Sequence, residues 1–197
     1  WGNPGNLINF SKISKFKELE VLTTMDLFGF TAEEMPRPED LKKLYMLWMN
    51  SLPEDVAKEV KRLYKKRKDE GLDLWITKPR KAEWLAQNLD NPFRSWDGEE
   101  SISSANAKKA VTIYRKTRGS MVKLVDGASE GFTKAVEALV REYTEGFNKM
   151  DRKNPFIDTV ERDEIFTALD GLLALIPDEL AIDKDKLIDL FDQVKEF

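Results

Sequence analysis

The sequence predicts an all-α protein, a single irregular helical bundle of about seven to eight helices. Two observations carry this prediction. Apolar residues recur every three or four positions in several stretches, which is the period of an amphipathic helix. Proline and glycine residues separate these stretches, as expected where helices begin and end.

The clearest helix is predicted over Ser129–Met150. Ser129 is a candidate N-cap, and Pro155 prevents the helix from continuing. One side of the segment is apolar for about five turns and is therefore expected in the core. The apolar residues are Phe132, Ala135, Val136, Leu139, Val140, Tyr143, Phe147 and Met150.

Three further helices are predicted in the N-terminal part of the chain. The first covers Ser11–Phe28 and ends at Gly29. The second covers Glu39–Asn50 and is apolar over more than half of its circumference, which predicts burial. The third runs from Pro53 to about Glu70, because a serine precedes it and a proline and acidic residues open it.

The middle of the chain contains one ambiguous segment. A helix over Pro79–Leu89 is predicted to end at Asn91-Pro92, and the segment 93–104, with Asp97-Gly98 and four serines, is predicted to be an exposed loop. The next segment is interpreted as a helix over Ser104–Arg118. The alternative is a short β-hairpin near residues 111–125, because apolar and β-branched runs flank a Gly-Ser pair.

Two helices complete the predicted bundle. One runs from Asp158 or Thr159 to Leu175, and Pro177 ends it; the other covers about Asp183 to Phe197. Residues 11–197 are interpreted as one domain with a candidate internal boundary in the loop 91–104. Residues 1–10, rich in Gly, Pro and Asn, are predicted to form an arm that is flexible or docks on another subunit.

The composition argues against most enzyme classes. The chain has no Cys and no His, which excludes thiolate nucleophiles and Ser-His or Cys-His catalysis. It also has no phosphate-binding glycine loop and no complete calcium-binding loop. We therefore favour a non-catalytic protein and predict no catalytic residue, no cofactor and no metal.

Hydropathy predicts no membrane segment. No apolar run approaches the roughly 20 residues that cross a bilayer. We expect a soluble protein without a membrane partner, and favour an intracellular over a secreted location.

Charge is strongly segregated along the chain. Residues 1–57 contain six basic and nine acidic residues, residues 58–125 contain seventeen and nine, and residues 126–197 contain nine and eighteen. A basic middle beside an acidic C-terminal part indicates a contact surface for an acidic partner.

The candidate contact residues all lie in this basic middle, where aromatic residues interleave with the cations. They are Lys61, Arg62, Lys65, Lys66, Arg67, Lys68, Trp75, Lys78, Arg80, Lys81, Trp96, Lys108, Lys109, Arg115, Lys116 and Arg118.

Two functions fit these residues. The first is a helical protein–protein interaction or assembly module (adaptor, inhibitor or structural component), whose partner is an acidic protein surface or the acidic C-terminal region of a second copy. The alternative is a sequence-tolerant nucleic-acid-binding protein, in which Lys and Arg contact phosphates and aromatic rings stack on bases.

Overall fold

A parallel β-sheet lies in the N-terminal half, so the prediction of an all-α bundle is wrong and the chain is mixed α/β. The computed structural model describes residues 5–197. The chain divides into two compact units, Trp1–Asp90 (unit 1) and Asn91–Phe197 (unit 2). The interpretation of residues 11–197 as one folding domain stays a prediction.

The strands of unit 1 form two small parallel sheets. In the larger sheet, β4 lies between β2 and β5; in the smaller one, β1 pairs with β3. The strands are β1 (Gly5–Asn6), β2 (Val21–Met25), β3 (Leu27–Phe28), β4 (Met46–Asn50) and β5 (Asp73–Thr77).

Helices cover one face of the larger sheet. Leu22, Leu47 and Leu74 stand in register on that face, and the core there also contains Val56 and Val60 from the first helix. The helices of unit 1 are α1 (Glu54–Leu63), α2 (Lys65–Asp69) and α3 (Ala82–Asn88), in the regions where helices are predicted over Pro53–Glu70 and Pro79–Leu89.

Two of the predicted helices are wrong. Ser11–Phe28 contains all but the first residue of a 3₁₀ helix, Phe10–Lys15, followed by β2 and β3, and Glu39–Asn50 contains β4. Strand β4 is apolar on both faces. A short apolar run of this kind has no visible alternation and cannot be told from a buried helix by periodicity.

The predicted N-terminal arm, residues 1–10, lies partly outside the described residues. In its described part, the backbone N–H of Leu7 donates to the carbonyl of Phe28 at 2.8 Å. Phe10 is buried and stacks on Phe30 with ring centroids 4.3 Å apart. The described part therefore packs within unit 1, and docking on another subunit stays a prediction.

Unit 2 is helical, and its long helices follow the predicted stretches. They are α4 (Ser104–Asp126), α5 (Phe132–Lys153), α6 (Thr159–Leu173) and α7 (Lys184–Val194). The helix expected over Ser129–Met150 is confirmed as α5, although its N-cap is Gly131 rather than Ser129. The hairpin alternative at 111–125 is wrong, because α4 continues through this segment.

Side-chain caps and an aromatic core position these helices. The Ser103 side chain accepts a hydrogen bond from the backbone of Asn106 at the start of α4, and Asp158 caps α6. The core of unit 2 includes Phe147 and Tyr143, whose ring centroids lie 5.1 Å apart. The remaining 3₁₀ helices are Ala32–Glu34, Arg94–Trp96 and Asp178–Leu180.

Candidate interaction surfaces

The longest row of cations follows the outer side of α4. We call it the basic face of α4; its residues are Lys108, Lys109, Arg115, Lys116, Arg118 and Lys123, and all six are exposed. The row spans about 22 Å at the helical rise of about 1.5 Å per residue. No acidic residue lies between Ser101 and Val125, and the only acidic residue of α4 is Asp126 at its C-terminal end.

The opposite side of α4 explains why these cations face outward. Ala107, Ala110, Thr117 and Met121 are buried, and they form the stripe that packs in the core. Lys116 forms an ion pair with Glu142 of α5. The basic face is therefore a solvent-exposed strip held by a rigid helix.

The predicted contact residue Trp96 does not belong to an exposed surface. It is 1% exposed, and its Nε1 donates to Glu164 Oε2 at 2.6 Å. Ser95 Oγ donates to the other Glu164 oxygen at 3.0 Å. Burial raises the pKa of the Glu164 carboxyl, although both hydrogen bonds act in the opposite direction. These contacts fasten the segment before α4 to α6.

In unit 1, part of the predicted cation cluster on α1 and α2 is neutralised locally. Arg62 pairs with Glu59, and this contact lowers the pKa of the Glu59 carboxyl. Lys66 lies 3.8 Å from Glu70. The exposed cations Lys61, Lys65 and Lys68 make no ion pair within the described part of the chain.

The predicted contact residue Arg67 binds the backbone of unit 1. Its guanidinium donates to four backbone carbonyls of the segment before β4, with the shortest contact, 2.7 Å, to Leu44 O. Beside it, Tyr64 is buried and its hydroxyl donates to Pro36 O at 3.0 Å. Burial raises the pKa of Tyr64 to about 12. Arg67 therefore anchors a loop rather than facing a ligand.

The remaining predicted residues of unit 1 lie in different places. Arg80 is 9% exposed, donates from Nε to Ser51 Oγ at 3.0 Å, and stacks on the ring of Trp84 at 3.9 Å. Lys78 is half-buried with a φ of 46°, and Lys81 is exposed at the N-cap of α3.

Trp75 is on the face of the sheet opposite α1. It is 58% exposed. The exposed cations of α1 and α2 lie beyond the helical layer on the other side of the sheet, because α1 packs on the Leu22, Leu47 and Leu74 face. Unit 1 therefore separates its exposed tryptophan from this cation cluster.

Sequence reasoning missed the surface around Trp75. We call it the open sheet face; its three rows in register are Val21, Met46 and Asp73, then Thr23, Trp48 and Trp75, then Met25, Asn50 and Thr77. Its signal in the sequence was the uninterrupted apolar run of β4, which also produced the incorrect helix.

Other site classes find little support in residues 5–197. No three acidic side chains in this range gather at a spacing that suits a metal ion. None of the helices described combines the length and the hydrophobicity needed to cross a bilayer. Comparison of the chain with protein-family models, with curated proteins and with solved structures finds no match.

Proposed function

We propose that the chain is a non-catalytic protein–protein interaction module that binds an acidic protein surface through the basic face of α4. The single observation that carries this proposal is the row of six exposed cations along about 22 Å of α4, in which Lys116 pairs with Glu142 and the only acidic residue of the helix, Asp126, is at its C-terminal end. Such a row attracts an acidic surface of similar length and orients it along the helix axis.

The surroundings of this row favour a protein over a long nucleic acid. Unit 2 as a whole has 16 basic and 21 acidic residues, so a polyanion that extends beyond α4 meets a net negative unit. Base stacking also lacks support in unit 2, since Trp96 is buried and Tyr114 packs edge-on against Phe93.

The first experiment compares two classes of anion, an acidic peptide and nucleic acid. Fluorescence anisotropy measures binding of an acidic peptide and of single- and double-stranded oligonucleotides to the full chain at low and high salt. Because the cations supply the attraction, we expect the triple variant Lys108→Gln, Lys109→Gln and Lys123→Gln to weaken peptide binding at least about tenfold.

A matched triple variant on α1 and α2 serves as the control. Lys61→Gln, Lys65→Gln and Lys68→Gln remove the same charge from other exposed positions, and peptide binding should stay within about twofold. Equal loss in both variants would indicate a general charge effect. No binding of any anion at low salt would refute the proposal.

Nucleic-acid binding remains the second candidate, because a cationic helix also neutralises phosphates. It gains support if oligonucleotides bind more tightly than the peptide, if their affinity falls steeply with salt, and if the α4 variant alone abolishes binding.

The acidic partner in the proposal includes the C-terminal region of a second copy. That contact would be head-to-tail and would produce oligomers that grow with concentration. Sedimentation at low salt tests this version: a monomer at all concentrations removes it and leaves a different protein as the partner.

A further inference from the structure

The open sheet face is unusual for a parallel sheet. Parallel strands normally have both faces covered, because their connections place helices there. Here Trp75 is 58% exposed, Met25 is 55% exposed and Val21 is 40% exposed. The central strand β4 connects them: Val21 pairs with Met46, Trp75 pairs with Trp48, and Met46 and Trp48 follow one another on the same face of β4, so the apolar side chains extend across all three strands. Such areas mark interaction sites.

Two tryptophans form the centre of this face. Trp48 and Trp75 stand in register and meet edge-to-face, with ring centroids 5.5 Å apart and an interplanar angle of 83°. The indole N–H of Trp48 is buried and has no hydrogen-bond acceptor among the described residues. Exposed tryptophans on a rigid strand are typical anchors of protein interfaces.

The dimensions of the face select the shape of its partner. Three strands of five residues cover about 17 Å by 14 Å, or roughly 240 Å². A standard interface needs about 800 Å² on each side, so this face alone is too small to hold two copies together. One α-helix is about 10–12 Å wide, and three turns of it are about 16 Å long, which fits the face.

The charges at one end of the face select the chemistry of that helix. Asp73 lies in the first row and Glu20 immediately precedes β2; both are exposed, and neither carboxylate has an ion-pair partner among the described residues. Positive side chains on the partner would meet these carboxylates, whereas phosphates would be repelled.

We propose that the open sheet face binds one amphipathic helix of another protein, about three turns long, with an apolar side against Trp48 and Trp75 and Lys or Arg near Asp73 and Glu20. The partner helix would cover the open face of the sheet, where a parallel sheet normally carries a second layer of helices. This inference uses a different surface from the basic face of α4 and does not depend on it.

The experiment selects binders from a display library of random peptides of about 12 residues in a helical scaffold, with the full chain as the target. We expect enrichment of apolar residues at helical spacing together with Lys or Arg. Trp75→Ala should weaken these binders at least about tenfold. The control is Phe16→Ala, since Phe16 is 64% exposed in the same unit but outside the face.

A charge exchange provides a second test that does not alter the tryptophans. Asp73→Lys should weaken a basic binder, and the same peptide with Lys replaced by Glu should recover affinity for this variant. The Lys108, Lys109 and Lys123 triple variant should bind the selected peptides normally, which separates this result from the proposed function.

Several results would overturn the inference. One is that the library does not yield any binder, and another is that Trp75→Ala leaves the affinity of the binders unchanged. Enriched sequences that are acidic, or that alternate apolar and polar residues as a β-strand does, would also contradict the proposal. Sedimentation could also show that the chain is a dimer and that Trp75→Ala dissociates it. This result would identify a second copy of the chain as the occupant of the face and would contradict the proposal of a helix from another protein.

Discussion

Unit 1 and unit 2 differ in how their folds are encoded. The helices of unit 2 are long, with 23 residues in α4 and 22 in α5, and each shows an apolar stripe in its own sequence. The principal strands of unit 1 have five residues each, and they acquire their shape by pairing with segments distant in the chain. Local pattern therefore determines one unit, and non-local pairing determines the other.

Different contacts hold the segment before β4 in unit 1 and the long helices of unit 2. In unit 1, the segment before β4 is held by hydrogen bonds from Arg67 and Tyr64 to backbone carbonyls. In unit 2, the helices are held mainly by the aromatic core around Phe147. The comparison predicts that removing the hydrogen bonds destabilises the segment before β4, and that removing aromatic volume destabilises the helices of unit 2.

The largest expected effect is in the core of unit 2. Phe147 is fully buried and lies 5.4 Å from Phe93 between ring centroids. Phe147→Ala should lower the free energy of unfolding by about 3–5 kcal/mol, because it removes buried surface and leaves a cavity. Urea unfolding followed by circular dichroism measures the change. Val160→Ala, at a position that is 55% exposed, should cost less than about 0.5 kcal/mol.

The second effect tests the anchoring of unit 1. Arg67→Ala should lower the free energy of unfolding by about 2–3 kcal/mol, because four carbonyls lose a charged donor. Lys65→Ala is the control, since its side chain is exposed, and it should stay within about 0.5 kcal/mol. Equally small effects in both variants would contradict the role of Arg67 as an anchor of the segment before β4. Arg67 would then again be a candidate contact residue.

A pair of glycine substitutions tests the helix packing of unit 2. A Cβ on Gly146 would lie 2.9 Å from Ile113 Cδ1, whereas a Cβ on Gly119 would meet no atom within 4 Å. Gly119→Ala should stabilise the protein by about 0.5–1 kcal/mol through helix propensity. Gly146→Ala should destabilise it by about 1 kcal/mol, because overpacking exceeds the same propensity gain.

Thermal unfolding of both glycine variants provides the measurement. Adding Ile113→Val to Gly146→Ala removes the Cδ1 atom and should restore part of the lost stability. Stabilisation by both single substitutions would show that α4 and α5 adjust more easily than the 2.9 Å approach indicates.

The smallest effect depends on pH. The pKa of Glu164 is raised above its ordinary value of 4.5, so the native state binds this proton more tightly than the unfolded state does. Its contribution to stability is complete below the unfolded pKa and is lost as the pH rises through the folded pKa. Glu164→Gln keeps an oxygen acceptor for Trp96 and removes this dependence.

Urea unfolding of wild type and Glu164→Gln at several pH values measures the difference. The stability of the variant relative to wild type should increase as the pH rises from about 4 to about 7. A relative stability that decreases with pH would show that the hydrogen bonds from Trp96 and Ser95 outweigh burial.

The candidate surfaces were partly predictable. The cations of α4 were identified from the sequence, because a run without acidic residues needs no tertiary information to be noticed. The local neutralisation of Arg62 and the burial of Trp96 were not, because a charge count does not show which carboxylate or which core lies beside a residue. The open sheet face was missed because its residues come from three separate segments.

The sequence by itself determined the helices of unit 2, the absence of His and Cys chemistry and the segregation of charge. Helices form from contacts between residues three or four positions apart, so their period is visible in one stretch of chain. Only the tertiary structure decided that Val21–Met25, Met46–Asn50 and Asp73–Thr77 become strands. Each of these runs satisfies its backbone hydrogen bonds only by pairing with the others, and that pairing has no signature within any one of them.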